Sequence, residues 1–370
     1  MLPPPQFLFM HVNKRCNLRC QHCDFWKLDD SDKLNYLPWE RKREILVEFA
    51  EMNSEGKVVI CGGESMLDLE DYFAIAKACR ELGLRGFSVI NGTRVRRDEM
   101  AERLVREGPH EISISLNSHL RSLHDETRGV IGAFDKAVTA LRLLVDARKR
   151  LGISDTRINV MGLIFDSNYE ALEDFYDFVL NDIQADKLKL NFIQPTFGQL
   201  GHVDEFFARH HHVNPDRLVE IIDRCDRRFG LGLNPYWMEQ VRMYFRSLNK
   251  GVDLERGWAS VGKTETHICN SYERNIMVDH YGKAGLCFSS QFPGMKLEKY
   301  GDLKRFWEGS DATRARMRGC NQFCGISHSV RRETSTQASR RPQSTFPRSD
   351  ATVQVPTLSR SSLNALYRFY

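Results

Sequence analysis

Three cysteines fall within eight residues, Cys16, Cys20 and Cys23 in CNLRCQHC, directly after a short apolar run. Thiolates are the preferred ligands of soft metals and of iron–sulfur clusters. Three of them on one tight loop can hold three irons of a cubane and leave the fourth iron without a protein ligand. An open iron is a binding position for a substrate or cofactor, which a cluster closed by four thiolates lacks. The alternative is zinc with His22 as the fourth ligand. His22 directly precedes Cys23, and neighbouring side chains diverge, so a compact tetrahedral site there is awkward.

Four more cysteines form two pairs. Cys269 and Cys287 bracket CNSYERNIMVDHYGKAGLC, with four residues between Gly282 and Cys287, and Cys320 and Cys324 follow in CNQFC. Two such pairs can complete a second cubane or a structural zinc. Cys61, Cys79 and Cys225 read as small buried hydrophobes. The start, MLPPPQFLFMHV, lacks the charged n-region and long apolar stretch of a secretory signal. Ten cysteines in a long chain of that kind point to metal or redox chemistry in the cytoplasm rather than to a disulfide framework.

Loops that carry such ligands need elements to hold them. Strand candidates are 7–12, 57–61, 86–90, 111–116, 157–164 and 187–193. Helical patterns lie between and after them, at 38–54, 69–82, 97–107, 132–150, 168–180 and 215–229. In 132–150, Ala137, Leu141, Leu144 and Val145 repeat at helical spacing and mark one buried face. Strands alternating with helices imply parallel pairing through right-handed crossovers, hence an α/β sheet or barrel. Six units are fewer than the eight of a complete barrel. The pattern breaks near 195–215, where His210 to His212 read as a solvated loop.

Length and charge set the outer limits. The chain has 370 residues, enough for about two domains. Its 41% hydrophobic content supports a sizeable core. The formal charge is +4, but residues 327–370 carry seven Arg against one Glu and one Asp, so the first 326 residues are near neutral. A neutral body argues against nucleic acid and anionic membranes as partners. No apolar run approaches a membrane span. Residues 236–326, with less regular periodicity, read as a smaller second module after a core of 1–235. Fourteen of the last 44 residues are Ser or Thr, and 327–370 is an atypical tail expected to be disordered or loosely docked.

The Cx3Cx2C triplet after the first strand of a βα-repeat chain resembles the radical S-adenosylmethionine (radical SAM) superfamily. That resemblance implies a partial (β/α)6 TIM-like barrel and a [4Fe-4S] cluster at Cys16, Cys20 and Cys23. Its open iron chelates S-adenosyl-L-methionine, and an electron from a donor such as flavodoxin or ferredoxin cleaves the sulfonium to a 5′-deoxyadenosyl radical. Gly62-Gly63-Glu64 resembles the superfamily's GGE motif and Asn91-Gly92-Thr93 its NGT. Ser115 and Arg128 match residues that contact the SAM carboxylate or ribose, with Asn117 standing where many relatives carry Asp. His22 takes the place of an aromatic ring before the third cysteine, and Asn191 and Phe192 would border the adenine. Cx12Gx4C resembles the SPASM or twitch extension, which implies one auxiliary [4Fe-4S] cluster at Cys269, Cys287, Cys320 and Cys324. A full SPASM module has more cysteines, and none follows Cys324.

The resulting expectation is an enzyme that abstracts a substrate hydrogen and oxidises or otherwise modifies a small molecule or peptide. The absence of a domain before the first strand tilts it towards a small molecule or sugar. A zinc-binding structural or interaction protein, with both cysteine sets closed, is the competing reading.

Overall fold

The computed structural model describes residues 2–28, 31–195, 203–254, 258–259, 271–288, 292–320 and 322–324. The tail from 327 and Cys269 lie outside these residues. Six parallel strands follow in order: β1 (Phe7–His11), β2 (Lys57–Cys61), β3 (Arg85–Ile90), β4 (Glu111–Ser115), β5 (Arg157–Ile164) and β6 (Lys187–Phe192). The helices α1 (Trp39–Met52), α2 (Leu69–Glu81), α3 (Asp98–Glu107), α4 (Arg121–Arg128), α5 (Ala133–Leu151) and α6 (Leu172–Asp177) connect them. β6 lies at the edge of the sheet, so the barrel is partial.

Beyond β6 come α7 (Glu205–His210), α8 (Pro215–Phe229) and α9 (Pro235–Lys250), then β7 (Val252–Asp253) and β8 (Trp258–Ala259), a separate two-stranded ribbon. β9 (Asn275–Val278) returns to pair parallel with β1, and β10 (Lys283–Gly285) and β11 (Met295–Lys296) extend the sheet antiparallel. α10 (Asp302–Gly309) and α11 (Asp311–Arg318) complete the described fold. The C-terminal module therefore continues the barrel sheet past β1. Its Leu297, Leu303, Phe306 and Trp307 belong to the same apolar core as the barrel helices.

The strand boundaries agree with the apolar runs to within a residue or so. Five helices went unrecognised in sequence: α4, α7, α9, α10 and α11. α9 carries an Asn-Pro start, Asn234 accepting Tyr236 N–H at 2.9 Å, as Asn214 does for α8. Both signals are local and legible. The His run is not a solvated loop: His210 ends α7 and pairs with Asp166 at 2.7 Å, and His211 is buried against Phe207.

Alternation along the strands separates two faces. Leu8, Met10, Val58, Ile60, Ile112, Ile114, Ile158 and Val160 face the helices in the main core. Phe7, Phe9 and Val59 occupy the opposite, concave face with Met277. No helix among the described residues is long and apolar enough to cross a membrane.

Candidate active site

In parallel α/β barrels, loops at the C-terminal strand ends gather the reacting groups. The cysteine loop leaves β1 at that end. Cys20 is buried and Cys16 and Cys23 are half-buried, packed with Leu18, Val130 and Ala133. Burial pushes Cys16 up to about 11 and Cys23 up to about 12, while the Arg128 guanidinium nearby pulls both the other way. Among the described residues, no three His, Cys, Asp or Glu side chains converge tightly enough to hold a single metal ion. Three thiolates on one loop suit a cubane, in which each binds a different iron.

Two strand ends and one helix hold the loop. At the end of β2, Gly63 N–H donates to Asn13 O at 3.0 Å and Glu64 N–H to Arg15 O at 2.8 Å. The backbone is so close that a Cβ on Gly63 would lie 2.1 Å from Arg15 O, and one on Gly62 2.5 Å from Asn13 O. Only glycine admits this approach. The two glycines thus make room for the cysteine loop itself. The Glu64 carboxylate is 2% exposed and accepts Met66 N–H at 3.0 Å and Asn91 N–H at 2.7 Å. Burial pushes it up to about 7 against these two hydrogen bonds. It ties β2 to β3.

At the end of β3, Asn91 donates Nδ2–H to Asn17 Oδ1 at 2.8 Å and accepts from Thr93 N–H at 3.0 Å. Asn17 donates in turn to Thr93 Oγ1 at 2.8 Å. Asn17 lies between the first two cysteines, so this ring anchors the loop directly. Asn13 supplies a second anchor, donating to Glu64 O at 3.0 Å and to Asp68 at 2.6 Å. Reading the sequence missed Asn13, Asn17 and Asp68; an Asn beside a cysteine loop signals only a turn.

α4 fastens the far side. Arg19 N–H donates to Arg128 O and Gln21 N–H to Thr127 O, each at 3.0 Å. Arg128 sends Nη1–H to Cys20 Sγ at 3.6 Å and Nη2–H to Asn117 Oδ1 at 3.1 Å. Asn117 is locked by Thr127 Oγ1 at 3.1 Å and donates its own N–H to His124 Nδ1 at 3.1 Å. Burial and the nearby Arg128 guanidinium hold His124 neutral, pulled down to about 2. Asp125 accepts Gly132 and Phe134 N–H at 2.7 Å and caps the start of α5.

The other expected residues are placed as follows. His22 is half-buried with its ring 5.6 Å from Phe206. Ser115 ends β4 half-buried on the concave side, in register with Met161. Asn191 is exposed at the end of β6, whereas Phe192 turns to the other face and packs on Trp237 and Phe245 of α9. Cys287 follows β10 half-buried, and Cys320 and Cys324 follow α11. The module touches the cysteine loop through Tyr281, which donates to Asp32 and accepts Lys14 Nζ–H at 2.7 Å.

Comparison with known proteins bears on the family and the fold. Residues 10–179 match the radical SAM superfamily. Fe-coproporphyrin III synthase of Methanosarcina barkeri is 31% identical over 146 residues, 40% of this chain and 35% of that protein. The chain thus spans about a third of that relative's length. Among solved structures, Streptococcus suis SuiB bound to its precursor peptide SuiA superposes with a TM-score of 0.59 at 16% identity, over 83% of this chain and 65% of that one. His-tagged anSMEcpe with bound AdoMet gives 0.54 at 15% identity, over 87% and 89%. At such identities the two structures bear on the fold alone.

Proposed function

From the premise that this chain carries a radical SAM domain followed by a C-terminal module, we propose that it modifies a small-molecule or peptide substrate after abstracting a hydrogen atom from it. The observation that carries the reading is the cysteine loop held at once by β2, β3 and α4, with Arg128 aimed at Cys20 Sγ. A reduced [4Fe-4S] cluster at Cys16, Cys20 and Cys23, with one iron open to S-adenosyl-L-methionine, would supply the 5′-deoxyadenosyl radical that removes that hydrogen.

The chain's own residues then have distinct tasks. Arg128 donates to the Cys20 sulfur, a lever on cluster potential. Glu64 has both carboxylate oxygens engaged by backbone N–H groups. It acts as a positioning residue and leaves backbone carbonyls of the Gly62–Gly63 turn to meet a cationic amino group. Ser115 and Asn191, on the concave side of their strands, border the nucleoside; His22 flanks the loop. Cys287, Cys320 and Cys324, with Cys269, would hold an auxiliary cluster.

The proposal spans both classes: one relative is named for synthesis of Fe-coproporphyrin III, a small molecule, and the SuiB fold neighbour was solved with a precursor peptide. Anaerobic reconstitution tests it. A brown protein with roughly eight irons per chain, forming 5′-deoxyadenosine from S-adenosyl-L-methionine and a flavodoxin or ferredoxin donor, is expected. Alanine at Cys16, Cys20 or Cys23 should abolish that product without unfolding the barrel. A colourless protein that binds zinc would overturn the proposal.

A further inference from the structure

The concave face of the sheet is chemically divided. On the side of β9, β1, β2 and β3 it is apolar: Phe7, Phe9, Val59 and Met277 pack together, and Phe87 and Phe288 lie against them. Phe288, next to Cys287 in the C-terminal module, meets Phe9 edge to face at 4.7 Å. On the side of β4, β5 and β6 the same face carries buried polar groups among Met161 and Leu163. Lys189 of β6 pairs with Glu111 of β4 across the intervening strand, each side chain 10% exposed, and the ammonium stands 5.9 Å from the Phe87 ring centre.

The register puts a third group on that diagonal. Glu111 is level with Arg157 of β5 and Lys189 with Met161, so Asn159 lies between them on the same face. Asn159 is 2% exposed, and its Nδ2 has no protein partner among the described residues. A buried amide donor left unpaired costs about 1–3 kcal/mol. A buried ion pair gains little over apolar residues of the same volume, while losing one partner is costly. Neither feature helps the fold, and both sit beside an aromatic wall.

Resting on the reading that the substrate reacts in this concavity, we propose that Lys189 and Asn159 recognise a carboxylate on the substrate, whose apolar body lies against Phe9, Phe87 and Phe288. Glu111 positions the ammonium, which keeps N–H donors beyond the one facing Glu111, and the Asn159 amide supplies another. Burial pulls the Lys189 ammonium down to about 7, which a bound anion would oppose. The site therefore selects an apolar acid over its neutral amide.

The test is equilibrium dialysis of anaerobically reconstituted full-length protein against 1-naphthoate and 1-naphthamide, which share one body and differ in charge. The acid should bind at least about tenfold more tightly, the range of one charge-assisted hydrogen bond. The double variant Lys189→Met with Glu111→Leu, which replaces the pair by apolar side chains, should erase that preference and leave the affinity for the amide within about twofold. Asn159→Leu should weaken the acid alone. If the double variant fails to fold, Lys189→Gln carries the same expectation. Equal binding of the two probes to the unmodified protein, or a preference that survives in the Lys189 variants, would overturn the inference. Iron content and 5′-deoxyadenosine formation in the same preparations report separately on the proposed radical chemistry, so the two can fail independently.

Discussion

Arg128 at the end of α4 and Cys20 in the loop after β1 are 108 residues apart in sequence, yet Arg128 Nη1 lies 3.6 Å from Cys20 Sγ. The same guanidinium is braced by Asn117 Oδ1, whose amide is held by Thr127. The contact places a fixed cation beside the cysteine loop.

Arg128→Lys keeps the charge and loses the planar fork that reaches sulfur and Asn117 together. Iron content should stay near that of the unmodified protein, while the cluster potential falls and kcat/KM drops at least about tenfold, or about 1.4 kcal/mol. Redox titration followed by steady-state assay checks both. An unchanged potential would confine Arg128 to a structural part.

Gly63→Ala brings a Cβ to within 2.1 Å of Arg15 O, so the cysteine loop must move. Far-UV circular dichroism should be retained and iron binding lost. Gly309→Ala is the matched control: nothing lies within 4 Å of its Cβ, and it should bind iron normally.

Glu64→Gln keeps one acceptor oxygen but turns an amide NH2 towards a buried backbone N–H. The mismatch should cost about 1–3 kcal/mol in urea unfolding. Because the amide cannot ionise, the variant should also lose the fall in stability between pH 4.5 and about 7 that a carboxyl raised by burial produces.

His124 has the opposite sign. Its folded-state value is pulled down to about 2 from 6.5, so the unfolded chain takes up a proton first and stability is lost as pH falls below 6.5. At pH 5 this group alone contributes about 2 kcal/mol of that loss. His124→Gln should flatten the acid limb of stability against pH, read from urea midpoints at pH 7 and pH 5.

Much of this was legible in one dimension. Val58, Val59 and Ile60 are a β-branched run that reads as a strand, and the six apolar runs match the observed strands to within a residue or so. α4 escaped because Arg121–Arg128 is short, charged and has few apolar side chains; its helicity is imposed by docking on the cysteine loop. Phe192 looked like a strand-end ring beside a ligand, but alternation from Asn191 turns it onto α9. One residue of register decides a side chain's face, and the apolar run alone does not reveal which face is concave.

By itself the order of residues pointed to thiolate-held metal chemistry, because three thiols fall within eight positions wherever the loop sits. It also determined the alternation of strand and helix, since both periodicities are local. Only the tertiary structure decided which distant groups stand beside those thiols. Glu64, Asn91 and Arg128 come from three different strand–helix units, and Lys189 meets Glu111 across 78 residues. Those meetings depend on strand order and register, which arise from closing loops and burying faces together and leave no mark at any single position.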